Sequence, residues 1–352
     1  MKKRALLFSL FLLFVSVSCS SWYVSSLNKK MIIDMKSGDG PGQIQIVRDE
    51  YALNDLSFRV EVHDGKVLCA DNNLKRLQVL DSGGNPELII GSCSNIDKNS
   101  YRAVNFNFSV IGSVTMDDDD NLYIQNRLES GRSGRDREGK NFSPSYILAF
   151  NKNGELQYTM GKTGTPDMPF FYIEKLFVDS DGKLYVLSRT FNSWELYVFN
   201  KKKREKYLDF STLSFSETED GSTYSGKIEN MVINRSGETL LISVAYYHDV
   251  RFKYRKIYEY SLEKNKILRE MTKIPDPKNV LFNSVDDKII YLWNIEGKKV
   301  KFMLINTEGN IINNIRLDLD GNTIFSKIIT DEKGNLYSYH VIENSLKVFE
   351  WE

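Results

Sequence analysis

Residues 64–91, DGKVLCADNNLKRLQVLDSGGNPELIIG, decide the fold. Asp64-Gly65 is a tight-turn pair. Val67 to Ala70 is an apolar strand, Asp71 to Lys75 a polar loop, and Arg76 to Leu80 an alternating strand. Asp81-Ser82-Gly83-Gly84-Asn85 is a second turn cluster, and Glu87 to Ile90 a third strand. With Phe58 to Val62 ahead of the first turn, the unit is four strands, A to D, joined by hairpins.

The same grammar returns about every 50 to 60 residues. Strand A, turn and strand B recur at Val114–Met116, Asp117–Asp120 and Leu122–Ile124, with strand C at Tyr146–Phe150 and a further strand over Glu155–Met160. They recur at Leu176–Val178, Asp181-Gly182, Leu184–Leu187 and Glu195–Phe199. The next set is Met231–Ile233, Ser236-Gly237, Leu240–Ile242 and Lys256–Tyr260. A fifth is Leu281-Phe282, Asp286-Asp287, Ile289–Trp293 and Phe302–Ile305, and a sixth is Ile328-Ile329, Lys333-Gly334, Leu336-Tyr337 and Leu346–Phe349. The turn anchors Gly65, Asp120, Gly182, Gly237, Asp287 and Gly334 are residue types that tolerate positive φ. Each sheet has apolar faces that only its neighbours can cover, so the repeat predicts an all-β, six-bladed β-propeller of four-stranded antiparallel blades. The chain ends one strand short of a sixth blade. An amino-terminal strand, expected at Ile44–Val47, should close the ring.

Asp64-Gly65-Lys66-Val67-Leu68-Cys69-Ala70-Asp71 followed by Arg76-Leu77-Gln78-Val79-Leu80-Asp81 resembles an NHL repeat. In that family an Asp closing strand B and an Arg opening strand C brace the loop between them, which implies that role for Asp71 and Arg76. The other units keep turns and strands but lose the pair, with Asn126 and Ser188 at the Asp position. The resemblance implies a six-bladed fold of the NHL and TolB-like type and no particular activity.

The amino terminus is MKKRALLFSLFLLFVSVSC. Lys2, Lys3 and Arg4 precede an apolar run from Ala5 to Val17. That run is shorter than the roughly 20 residues a membrane span needs and has the length of a signal-peptide core. Ser16-Val17-Ser18-Cys19 resembles the lipobox of bacterial lipoproteins, with Ser16 where Leu is usual, a relaxed form familiar in spirochaete lipoproteins. The resemblance implies cleavage before Cys19, acyl chains (diacylglycerol, palmitate) on its thiol, and a protein held at the cell envelope, toward the outer membrane since Ser20 rather than Asp follows. The expected organisation is therefore 1–18 signal peptide, 19–43 lipidated Cys and tether, and 44–352 propeller.

Charge is balanced, with 47 Lys plus Arg against 47 Asp plus Glu, which does not suit a nucleic-acid partner. Cys69 and Cys93 are spaced such that a bridge or two free thiols are both open. His63, His248 and His340 fall in three different units without metal-ligand spacing, and no Ser-His-Asp arrangement is indicated. Asp117 to Asp120 lacks the spacing of a calcium loop and coincides with a turn. No catalytic, cofactor or metal residue is assigned, and an enzyme is less expected than a binding module. Arg127–Ser145 is the longest excursion within a unit. It carries Arg127, Arg132, Arg135, Arg137 and Lys140 and joins strands B and C of the second unit. In a propeller the BC and DA loops share one face. Arg189, His248, Arg251, Arg255, Lys298 and Lys299 belong to that face too, giving a cationic, aromatic-flanked rim. Such a rim suits an envelope protein or an anionic glycan or lipid headgroup. The expected role is a lipid-anchored binding or scaffolding module, and the alternative a metal-dependent hydrolase or lyase of the lactonase-like propeller type.

Overall fold

The computed structural model describes residues 24–47, 57–97, 100–128, 134–135, 141–142, 144–161, 170–219, 221–285, 288–319 and 323–352. Each four-stranded unit runs A-B-C-D through antiparallel neighbours. Blade one is Phe58–His63, Lys66–Asp71, Arg76–Leu80 and Pro86–Gly91. Blade two is Val110–Met116, Leu122–Arg127, Ser145–Phe150 and Leu156–Met160. Blade three is Tyr172–Val178, Leu184–Arg189, Trp194–Asn200 and Lys203–Asp209. Blade four is Ser222–Ile233, Thr239–His248, Arg251–Ser261 and Lys266–Ile274. Blade five is Val280–Val285, Ile289–Glu296, Lys299–Asn306 and Ile311–Asp318. Blade six is Thr323–Thr330, Leu336–Ile342, Ser345–Trp351 and, from the amino terminus, Lys29–Lys36.

Strand periodicity sends alternate side chains to opposite neighbours. In strand B of blade one, Val67 and Cys69 pack against blade six while Leu68 and Ala70 pack against blade two. Both faces are covered, so the segment reads as an unbroken apolar run rather than an alternating one. The apolar clusters repeat this arrangement between blades two and three, three and four, four and five, and five and six. The cluster joining blade six to blade one closes the ring.

The turns use one device several times. Asp179, buried at the end of strand A, accepts hydrogen bonds from the N–H groups of Asp181 and Lys183 and from the Tyr185 hydroxyl. Gly182 takes the left-handed position at φ 75°, as a three-residue hairpin loop with a bulge requires. Asp117 and Asp331 hold their turns in the same way. The Asp117–Asp120 run is thereby resolved as turn chemistry. Asp117 accepts, Asp120 supplies the left-handed residue, and Asp120 pairs with Lys66 at 2.7 Å. The Asp286-Asp287 turn lies outside the described residues.

The closing strand is not Ile44–Val47. Lys29–Lys36 pairs antiparallel with Ser345–Trp351, from Lys29 opposite Trp351 to Lys36 opposite Ser345. In KKMIIDMK, Ile33 and Met35 turn into the seam between blades six and one while lysines keep the outer edge wet. Just before it, Val24–Ser26 adds a parallel strand to the edge of blade five. Strands therefore begin within the stretch expected to be tether. Residues 37–47 cross from blade six to blade one without a ladder of their own. Gln43 O and Gly42 N bond the Gln78 side chain, Gln45 N donates to Asp71, and Ile44 and Ile46 plug the seam. Asp71 also accepts from the N–H groups of Asn73 and Leu74, and Arg76 donates to Ser92 O, Asp39 O and Gly40 O. The pair braces its loop and, in addition, locks down the incoming chain.

Candidate functional site

The inner strands of blades two to six carry a register shift, within 111–114, 173–175, 228–230, 281–283 and 323–325, near the strand's beginning except in blade four, where the strand is extended by several residues ahead of it. Extra residues of this kind bend a strand and re-aim its side chains. They sit on the BC/DA side of the ring, because strand A starts there, and nothing in the sequence pattern announced them.

On that side the structure separates the expected rim residues into different roles. Arg189 ends strand B of blade three, pairs with Glu174 at 2.6 Å and lies over the Trp194 ring. Together with Phe191, which is 60% exposed, Phe210, Phe215 and Lys227, it lines a pocket of about 180 Å³ between blades three and four. Arg255 is no rim cation. It is buried, its guanidinium meets Glu229 at 2.5 Å, and it donates to Pro277 O and Asn279 O. These bonds rivet blade four to the loop entering blade five. Arg251 is exposed at the tip of the blade-four BC hairpin, beside the fully exposed Val250. His248 is half-buried with its ring against Tyr224. Arg127 is half-buried at the end of strand B of blade two, opposite Val110, rather than out on a loop. Arg135 lies in a two-residue strand paired with Asn141–Phe142, and Arg132 and Arg137, like Cys19 and the leader, lie outside the described residues.

Blade four projects beyond the ring on the same side. Phe215–Glu219 pairs with the extension of its strand A, and Glu217 reaches across to strand C. It accepts from Tyr254, Lys256 and Tyr258, and the Tyr258 hydroxyl lies 2.5 Å from that of Tyr246. Burial opposes the Glu217 charge, but the hydrogen bonds from Lys256 and the tyrosines and the Lys256 charge hold its carboxyl below the usual range. The cluster fixes the hairpin that forms one wall of the pocket.

The inner strands enclose an axial channel. Its AB-turn end is a cavity of about 60 Å³ lined from all six blades, by Glu61, Thr115, Lys175, Arg235, Asn283 and Thr330 among others. Phe58, Val60 and Val62 pack toward blade six, which leaves Arg59, Glu61 and His63 on the axial side of the same strand. Burial pushes the Glu61 carboxyl up, against the charges of Lys175, Arg59 and Lys327. Burial pushes the Lys175 ammonium down, against Glu61. His63 sits at the AB-turn rim between Asp118 and Glu332, at 3.2 and 3.5 Å. His340 is fully buried against Ser338 and Phe349. The three histidines thus do not meet, and no group of three or more His, Cys, Asp or Glu among the described residues is placed to hold a metal ion. Cys69 and Cys93 are both buried and not bridged to each other.

No family model matches the chain, and no curated protein does. A solved structure described as "Crystal structure of a protein of unknown function from Bacteroides caccae at 1.35 A resolution" is similar to it at 14% identity and a TM-score of 0.39, over 74% of this chain and 82% of that one. So low a score adds nothing to a fold already defined by the six interfaces.

Proposed function

We propose that the protein is a binding module of the bacterial cell envelope, anchored by acyl chains on Cys19 and making contact through its BC/DA face. The observation that carries this reading is the pocket between blades three and four, where exposed Phe191 stands beside Arg189, Trp194 and Lys227. Aromatic and guanidinium groups around a concavity are the usual anchors of recognition surfaces. The partner is an envelope protein or an anionic glycan or lipid headgroup, not nucleic acid. A metal-dependent hydrolase or lyase is the weaker alternative, since donors for a metal do not converge among the described residues.

The anchor and the contact face are tested separately. Mass analysis of the mature amino terminus should find acyl chains on Cys19, and Cys19→Ser should release the protein from membranes. The chain from Cys19 to Val24 reaches at most about 17 Å, so an acylated protein would ride close to the bilayer, toward the outer membrane in our reading. Phe191→Ala with Arg189→Ala should abolish capture of its partner from solubilised envelopes. If every captured partner survives that double substitution, the blade-three and blade-four pocket is not the contact site.

A further inference from the structure

We infer that the outer edge of blade five, Ile311 and Ile312 with Met31 and Leu268 on either side, is the face the protein lays against a lipid bilayer. The inference rests on the acyl anchor at Cys19, and it turns the Phe191 pocket away from the membrane.

The amino-terminal chain joins the ring at this edge. Val24–Ser26 runs parallel to Ile311–Asp318, with Val24 opposite Asn314 and Ser26 opposite Arg316. A parallel strand enters from the same end as its partner, so the chain from Cys19 arrives at the Ile311 end. Ile312 and Ile311 stand about 7–10 Å beyond the Val24 position in that direction. Five residues, the separation of Cys19 from Val24, span at most about 17 Å. An acylated Cys19 therefore holds a bilayer within reach of both isoleucines.

Those isoleucines are 58% and 49% exposed, and the pairing with Val24–Ser26 stops short of them. The neighbouring edges continue the pattern. Met31 is 51% exposed in the strand that closes blade six, and Leu268 is 42% exposed in the outer strand of blade four. The three edges are physically joined. Gly309, in the turn before Ile311, packs on Met271 and Thr272 of blade four. Leu27 N donates to Arg316 O of blade five, and Asn28 exchanges backbone hydrogen bonds with Glu352 at the end of blade six. All four apolar residues stand in the half of an outer strand nearer the CD turns, the end of the ring opposite the BC loops. Leu156 is exposed in the same half of the blade-two outer strand and lies apart from them.

An open strand edge that carries isoleucines is a liability in water, and the interfacial layer of a bilayer covers it by taking up apolar side chains. Lys30, Lys266 and Arg269 are exposed on the same edges, with stems that can lie along apolar surface while their heads stay among headgroups. Glu308 and Glu352 are exposed there too, so apolar contact rather than net charge makes the fit, and a zwitterionic lipid suffices.

The test uses the native acylated chain reconstituted on phosphatidylcholine vesicles that contain a headgroup-spin-labelled lipid. A fluorophore is attached at Asn313→Cys, on the open edge, or at Val250→Cys, on the blade-four BC hairpin, while buried Cys69 and Cys93 stay unlabelled. Flotation with the vesicles reports the anchor. Quenching at residue 313 should exceed that at residue 250 about threefold or more, as for a side chain in or beside the headgroup layer. Ile311→Asp with Ile312→Asp should leave flotation intact and bring quenching at residue 313 down to the level at residue 250. Failure of the native chain to float would overturn the anchor and the docking face together. Flotation with equal quenching at the two positions, or quenching at residue 313 that survives the double substitution, would overturn the docking face and leave the anchor standing.

Discussion

Replacing Ile33 and Met35 together by alanine should cost most of the stability of the ring. Both side chains lie in the closing strand and are almost completely buried, at 4% and 1% exposure, in the seam between blades six and one. Truncating a buried Ile or Met to Ala typically costs about 2–5 kcal/mol, the lost transfer energy plus the cavity left behind. The two sites are neighbours on one strand, so their effects will not add cleanly, and a joint loss of about 4–8 kcal/mol is expected. That compares with a total of about 5–15 kcal/mol for an ordinary domain. Opening this seam exposes both edges of the ring at once, because among the described residues the strand is the one outer partner of Ser345–Trp351. The assay is urea denaturation followed by circular dichroism and by tryptophan fluorescence, since Trp351 lies in the paired strand. The control is Met31→Ala, in the same strand but 51% exposed, which should change stability by no more than about 0.5 kcal/mol. A loss below about 1 kcal/mol for the double variant, or an equal loss for Met31→Ala, would show that Lys29–Lys36 does not close the ring.

Asp179→Ala strips the acceptor from two turn amides and a buried tyrosine hydroxyl, and should lower stability by about 1–3 kcal/mol in the same denaturation assay. Arg255→Ala leaves two carbonyls without their donor and Glu229 with only the Tyr247 hydroxyl, and should cost about 2–4 kcal/mol. Arg251→Ala, on the exposed hairpin tip, should fall within about 0.5 kcal/mol. The Glu217 carboxyl is held below its usual value of 4.5 in the folded protein. Its contribution is therefore present above that pH and lost as pH falls through the folded value. The melting temperature should drop below pH 4.5 in the native chain, and the acid-side drop should be shallower in Glu217→Gln.

The strands and turns were legible because their signals are local. A buried B strand such as Val67–Ala70 must be apolar on both faces, and a turn such as Asp179–Gly182 needs a capping carboxylate and a residue that accepts positive φ. The closing strand was misplaced for a comparable reason. Ile44-Gln45-Ile46-Val47 and Met31-Ile32-Ile33-Asp34-Met35 both alternate, and only the partner strand decides between them. Asp71, Arg76 and Gln78 engage backbone groups of Asp39, Gly40, Gly42, Gln43 and Gln45, which holds that stretch against blade one as a crossing segment rather than as a strand in a ladder. The site was less legible. Arginine is the same letter whether it waits at a rim, as Arg251 does, or rivets two blades, as Arg255 does. The opposing Glu229 lies 26 residues away in sequence. The axial cavity left no spacing signal at all, because Glu61, Lys175 and Arg235 come from three blades and line one space only when the ring closes.

Ring closure by the amino-terminal strand is tested most directly by a cross-link. Lys30 and Glu350 lie opposite each other in the antiparallel pair, where Cα separations of about 4.5–5.5 Å fall within disulfide range. In a chain carrying Cys19→Ser, Lys30→Cys with Glu350→Cys should form an intramolecular disulfide on mild oxidation, while buried Cys69 and Cys93 stay unmodified. Non-reducing electrophoresis and peptide mass mapping should then find residues 30 and 350 joined. Two freely alkylated thiols at those positions in the folded protein would contradict the closed ring.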